Sequence, residues 1–238
     1  MLLSVVEART PQLARAFLAN ESEIAQTPIE FREALLALSQ LRTYEANSTI
    51  VNADDTDGAI FAIVYGAVAF IPALGPADAN LANILHPGDW FGYLPLIMNT
   101  PRNASLIART QVVLAVITRN DLNGLLEKHP VWWRHIAALA SQYGNKAANI
   151  AADLMIANSN RRCLSTLLRL AGCRFRTRQT RPPIAFVNQA ELGAMANLSR
   201  NSVSRILHQM TRRNLISVGY MQITLLDPEA LRTMVDDA

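Results

Sequence analysis

The chain has 238 residues, of which half are hydrophobic and 17% charged, and no stretch is low-complexity; this describes an ordinary globular protein with room for two domains. The net charge of +3 is a difference between unlike parts: residues 1–157 carry 10 Lys/Arg against 14 Asp/Glu (−4), and residues 158–238 carry 12 Arg against 5 Asp/Glu (+7). An acidic body with a basic C-terminal third is the distribution expected when one domain meets a polyanion, although the cluster Arg174, Arg176, Arg178 and Arg181 also reads as a solvated loop.

The longest apolar candidate, residues 59–74, contains Gly66 and Pro72 and falls short of the roughly 20 residues a bilayer requires. It reads as a buried pair of strands. The N-terminus lacks the basic start and small-residue cleavage site of a signal peptide, so a cytoplasmic protein with no membrane partner is expected. Cys163 and Cys173 fit no zinc spacing and read as reduced thiols; no metal ligand set is expected. Four histidines (86, 129, 135, 208), with no GxSxG elbow, phosphate-binding glycine loop or HExxH, argue against an enzyme.

In chain order, Phe31, Leu35, Leu38 and Leu41 recur at helical spacing, and residues 11–41 are predicted helical. Short β-rich runs follow: TIV (49–51), AIFAIVYGAVAFI (59–71), LANIL (81–85), SLIAR (105–109) and VVLAVIT (112–118), separated by turns such as DDTDG (54–58), LGPAD (74–78) and HPGDW (86–90). Such punctuation suggests an antiparallel barrel or roll. Beyond Pro130 the β signal stops. Ile136, Ala140, Tyr143, Ala147, Ile150, Leu154 and Ala157 alternate steps of four and three, the repeat of a coiled-coil seam. The expectation is a dimer interface built from Ile136, Ala140, Tyr143, Ala147, Ile150 and Leu154; the alternative is a helix packed on its own domain.

Asn158-Ser159-Asn160 interrupts that rhythm with residues that favour turns and N-caps, which places a domain boundary there. A helix from about Arg161 to a stop at Gly172 is predicted, then a loop and a short strand. Residues 188–210 read NQAELGAMANLSRNSVSRILHQM. Asn188 can cap a helix over Gln189–Ala196, Asn197 suits a left-handed turn, and Ser199 can cap a second helix. On that second helix Arg200, Asn201, Ser204 and Arg205 fall within about 140°, opposite Val203, Ile206, Leu207 and Met210. One side can dock on the domain while the other is entirely hydrogen-bonding, as a major-groove reader requires. Arg can bridge guanine O6 and N7, Asn adenine N6 and N7, and Ser hydroxyls suit phosphates. LISVGYMQITLL then offers two strands around a Gly-Tyr turn, a wing.

Through LSRNSVSRILHQMTRRNLIS (198–217), HPGDWFGYL (86–94) and PRNAS (101–105), the chain resembles the Crp/Fnr family of transcription regulators. The resemblance runs from about residue 30 to the wing. It implies an α+β fold: an N-terminal double-stranded β-helix (the jelly-roll or cupin-like cyclic-nucleotide-binding fold), a long dimerisation helix and a C-terminal winged helix-turn-helix. The expected parts are a β-roll sensor with N-terminal helices over 1–128, a dimerisation helix and hinge over 129–158, and a DNA-binding domain over 159–238. The implied function is sequence-specific DNA binding as a homodimer on a palindromic promoter, with double-stranded DNA, a second copy, RNA polymerase and a small-molecule effector as partners. A ligand-binding or protein-interaction module of the same fold is the alternative.

Carried over by motif, Arg200, Asn201 and Arg205 occupy base-reading positions, and Ser199, Ser202 and Ser204 lie at or near backbone-contacting ones, with Asn188 and Gln189 at the start of the preceding helix. The family often has Glu where Asn201 stands. In nucleotide-responsive relatives a Gly-Glu-Leu turn holds the ribose and an Arg-Ser pair grips the phosphate; here these are Gly92-Tyr93-Leu94 and Arg102-Asn103, and Ala147 replaces the hydroxyl that meets the base. These six residues are the effector-pocket candidates, and Arg102 reads equally as an anion holder or a structural ion-pair residue. Each unpaired ligand group costs about 1–3 kcal/mol, so cyclic AMP is not the expected effector, and no cofactor is expected. Residues 1–162 contain no cysteine for an iron–sulfur cluster, and His86, the sensor-domain histidine that could ligate haem, is read as serving its turn.

Overall fold

A computed structural model of the protein describes residues 3–73, 81–174 and 182–236. The expected LGPAD turn at 74–78 and the loop residues Arg176, Arg178 and Arg181 lie outside the described residues. The chain divides into two compact units, residues 1–79 with 85–145, and residues 80–84 with 146–238.

The first unit opens with helices α1 (Val5–Ala8), α2 (Pro11–Glu21) and α3 (Ile29–Ala37). Strands β1 (Gln40–Tyr44), β2 (Thr49–Val51), β3 (Ile60–Tyr65), β4 (Val68–Pro72), β5 (Asn83–Leu85) and β6 (Trp90–Phe91) follow, then α4 (Tyr93–Met98), β7 (Ala104–Ala108), β8 (Val112–Ile117), α5 (Arg119–Lys128) and the 23-residue α6 (Trp133–Met155); of these, Asn83 and Ile84 of β5 and α6 from Lys146 onward fall in the second unit. The single helical stretch expected over 11–41 is in fact two helices and a strand. The last helix ends at Ala37, and Leu41 pairs with Ala115 on β8. Spacings of three in a short apolar run do not separate helix from strand, and here the backbone ladder to β8 decides.

Two antiparallel sheets, ordered β1-β8-β3-β6 and β2-β7-β4-β5, form the sandwich expected of the β-roll. Strands β3 and β8 are buried on both faces. Phe61, Ile63, Leu114 and Val116 turn inward between the sheets with Val68, Leu106 and Ala108. Ile60, Ala62, Val64, Val113, Ala115 and Ile117 turn outward, where Leu18, Ile24, Phe31 and Leu35 of the N-terminal segment and Leu122 and Leu126 of α5 cover them. A strand covered on both sides reads as a continuous apolar run rather than an alternation, which accounts for the unbroken apolar character of β3 and β8. Among the described residues no helix is long and apolar enough to cross a membrane.

The second unit contains α7 (Ser159–Leu170), β9 (Ile184–Ala185), α8 (Gln189–Met195), α9 (Arg200–Arg212), β10 (Ile216–Gly219), β11 (Gln222–Leu225) and α10 (Pro228–Asp236). Asn158 starts α7 as its N-cap: its side-chain oxygen accepts the backbone N–H groups of Asn160 at 3.0 Å and Arg161 at 3.1 Å. These donors are orphaned at any helix start. Strands β10, β11 and β9 form a small antiparallel sheet, the wing. Cys163 and Cys173 are free and buried. Burial pushes their thiols up to about 12 and about 11 respectively, so little reactive thiolate forms at neutral pH.

Candidate functional site

The helix-turn-helix is capped at each step. Asn188 Oδ1 accepts the N–H groups of Ala190 and Glu191, both at 2.9 Å, and Glu191 Oε2 accepts the Asn188 N–H at 2.9 Å, closing a capping box on α8. Asn197 adopts φ 50° in the turn, and the Leu198 N–H donates to Gly193 O at 2.8 Å. Ser199 Oγ accepts the Ser202 N–H at 3.2 Å and so starts α9. Sequence reasoning overlooked Gly193. A Cβ there would stand 2.8 Å from Leu198 O, so the turn closes against α8 only over a glycine.

On α9, Val203, Ile206, Leu207 and Met210 are buried, while Arg200, Asn201, Ser204 and Arg205 are exposed together on the other side. The remaining candidates are placed differently. Ser199 and Ser202 hydroxyls lie 3.0 Å apart and are occupied with the cap. The Asn188 side chain is likewise committed, its oxygen to the cap and its Nδ2 to Met221 Sδ at 3.6 Å. Gln189 is half-buried on the first turn of α8. Tyr220, 94% exposed, stands at the tip of the wing.

A second residue overlooked in the sequence is Arg162. Its Nε donates to Ala196 O at 2.7 Å and its Nη1 to Ile156 O at 2.6 Å, so one guanidinium ties the turn before α9 to the chain leaving α6. Beside it, Arg169 Nε donates to Asp153 Oδ2 at 2.9 Å and the Ser165 hydroxyl donates to Asp153 Oδ1 at 2.5 Å. Arg169 is 9% and Asp153 6% exposed. Burial lowers the Arg169 pKa, and the bond to Asp153 pulls it back up.

Along α6 the expected seam divides. Ile136 is fully buried in its own unit's core, and Ala140 and Tyr143 pack against the same cluster. The Tyr143 hydroxyl donates to Trp90 O at 2.9 Å, and burial raises its pKa well above the usual tyrosine value. Ile136 and Tyr143 therefore pack into the first unit's own core. A heptad repeat marks an apolar face without saying which surface covers it. Farther along, Ala147 and Leu154 are exposed and Ile150 is half-buried.

The effector-pocket candidates are only partly gathered. Arg102, 4% exposed, turns inward: its Nε donates to Asp57 Oδ1 at 2.8 Å and its Nη2 to Ala59 O at 2.8 Å, with the guanidinium carbon 5.3 Å from the Phe61 ring centroid. Arg102 is thus paired with the Asp57 carboxylate. Gly92 (φ 96°) lies beside it, where a Cβ would come within 2.5 Å of Ala59 O and 3.3 Å of Arg102 Nη1. Tyr93 is buried, with its ring edge-on to Tyr143 and its hydroxyl without a hydrogen-bond partner among the described residues. Leu94 and Asn103 are exposed. Among the described residues no cluster of His, Cys, Asp or Glu could hold a metal ion.

Comparison with known proteins agrees with this anatomy. Residues 41–129 match the cyclic nucleotide-binding domain, and residues 161–234 match the Crp-like helix-turn-helix domain. The cyclic AMP receptor protein of Thermus thermophilus is 30% identical over 191 residues, covering 79% of this chain and 85% of the relative. The HTH-type transcriptional regulator Cmr of Mycobacterium tuberculosis is 26% identical, covering 84% and 78%. Among solved structures, FixK2 from Bradyrhizobium japonicum shares the fold with a TM-score of 0.65 at 19% identity, covering 84% of this chain and 98% of that one. With its cyclic-nucleotide-binding-type roll and its Crp-like helix-turn-helix, the chain belongs to the Crp/Fnr family of DNA-binding transcription regulators, which are not enzymes.

Proposed function

We propose that the chain acts as a homodimer on a palindromic promoter site, with Arg200, Asn201 and Arg205 reading bases and Ser204 and the helix starts held by Ser199 and Asn188 facing phosphates. The observation that carries this reading is the division of α9 into a buried apolar side and an exposed edge of Arg200, Asn201, Ser204 and Arg205. For pairing, the useful part of α6 is its second half. Ala147, Ile150, Ala151 and Leu154 share an arc of roughly 100°, and Leu154 is 43% exposed. Two copies then present their reading helices to successive turns of the duplex, about 34–36 Å apart, in the cytoplasm and in reach of RNA polymerase. The assigned roles are a sensor over 1–128, pairing over 129–158 and DNA binding over 159–238.

The test is sedimentation of the full chain, which shows a dimer, followed by a mobility shift on a palindromic duplex against a scrambled one. A monomer indifferent to every duplex at low salt overturns the reading.

Cyclic AMP is not the effector of this chain. The Thermus relative is named for cyclic AMP, but in this chain Arg102 is already paired with Asp57, and the buried Tyr93 stands where a carboxylate is needed. Calorimetric titration with cyclic AMP gives no binding tighter than about 1 mM, because two or three lost ligand hydrogen bonds remove most of a micromolar affinity. A micromolar isotherm reverses this assignment.

A further inference from the structure

Arg102 and Asp57 form an asymmetric pair. The guanidinium is built into the protein: 4% exposed, held by Ala59 O at 2.8 Å, backed by the Phe61 ring and flanked by the Gly92 turn. Its counter-anion comes from outside, on a side chain 53% exposed. Asp57 is carried by an acidic loop that also holds Asp54 and Asp55. That loop is pinned across the arginine by two backbone bonds, from the Asp54 N–H to Arg102 O at 2.8 Å and from the Arg102 N–H to Asp55 O at 2.9 Å. Within it, Asp55 Oδ2 accepts the Asn52 N–H at 2.7 Å, and Asp54 takes φ 70°. Both Arg102 Nε and Nη2 face the one Asp57 oxygen, Oδ1. Two parallel N–H groups on a planar fork are the arrangement that grips an oxyanion.

We propose that Asp57 is a built-in ligand of the sensor: its carboxylate fills a small oxyanion site made by Arg102 and the Gly92 turn, so the roll reaches its anion-filled arrangement with no external effector. The site takes phosphate or carboxylate oxyanions, and they enter when the Asp57 carboxylate is removed. A buried guanidinium left without a counter-charge is the driving force, since an uncompensated buried charge is strongly unfavourable. The effect on DNA binding rests on the regulator reading above; the oxyanion site itself does not.

The experiment uses the full chain at constant ionic strength, with inorganic phosphate replacing chloride over a millimolar range. Wild type melts at the same temperature throughout. Asp57→Ala melts about 4–10 °C lower without phosphate and regains about 3–5 °C as phosphate saturates the vacated site. Adding Arg102→Met to Asp57→Ala abolishes the regain. If Asp57→Ala fails to fold, Asp57→Asn, which keeps the side chain's shape and removes its charge, is read in the same way. In the DNA arm, wild type binds its palindrome equally with and without phosphate, whereas Asp57→Ala binds at least about tenfold more weakly and recovers with phosphate. Phosphate stabilising wild type as much as the variant overturns the proposal, as does a variant indifferent to phosphate. A wild type that ignores DNA sinks the regulator reading alone and leaves the melting arm to decide this one.

Discussion

Replacing Arg200 or Arg205 by Ala weakens DNA binding by about 1–3 kcal/mol per half-site, or about 2–6 kcal/mol for a dimer that makes the contact twice. Each loss relaxes preference at one base per half-site. A phosphate contact behaves otherwise, weakening all sequences alike and lowering the salt slope. The fold tolerates the change because the other side of α9, with Val203, Ile206, Leu207 and Met210, makes the packing; exposed substitutions usually stay within about 0.5 kcal/mol of stability. Asn201 offers a change of preference rather than a loss. An amide pairs with adenine and a carboxylate accepts from cytosine N4, so Asn201→Glu moves the preferred base at that position. Selection of bound sequences from a random duplex pool reads both effects, and an unaltered consensus in Arg200→Ala and Arg205→Ala removes them from base reading.

Asp153→Ala costs about 3–5 kcal/mol of stability, because it leaves the Arg169 guanidinium buried with no counter-charge. For a chain of this size that is a fall of about 6–20 °C in melting temperature. The Ser165 hydroxyl loses its acceptor at the same time. The pair ties the end of α6 to α7, next to the place where Arg162 binds the carbonyls of Ile156 and Ala196. Loss of the tie is therefore expected to loosen the platform under α9 as well as to lower stability. Asp153→Leu combined with Arg169→Met recovers most of the stability, since exchanging a buried pair for apolar groups of similar size is close to neutral. Thermal melts of the two single variants and the double variant measure the coupling. A fall under about 2 °C in Asp153→Ala means water screens the pair and the buried-charge account fails.

Local chemistry made the helix-turn-helix legible. The capping of α8 and α9 by Asn188 and Ser199, the positive φ of Asn197 and the two-sided character of α9 all follow from residues within about four positions of one another. The wing was readable for the same reason. Over 11–41, by contrast, the apolar spacing was compatible with helix while β8 waited some seventy residues farther on. On α6 the heptad rhythm likewise did not say what its face meets: Ile136 and Tyr143 pack on their own roll.

By itself, the sequence marked the run of short strands, the charge division, the caps of the helix-turn-helix and the polar edge of α9, because each rests on short-range periodicity, caps or composition; the fold class followed from the family resemblance. Tertiary structure decided the rest: that Arg102 is satisfied by Asp57, that Arg162 bridges Ile156 and Ala196, that Asp153 and Arg169 share a buried bond, and that Gly193 makes room for the turn. In the most distant of these pairs the partners are 45 residues apart. The physical reason is that a charged or polar side chain carries no mark of its partner. Only the packing that removes it from water fixes which donor, acceptor or counter-charge it must find.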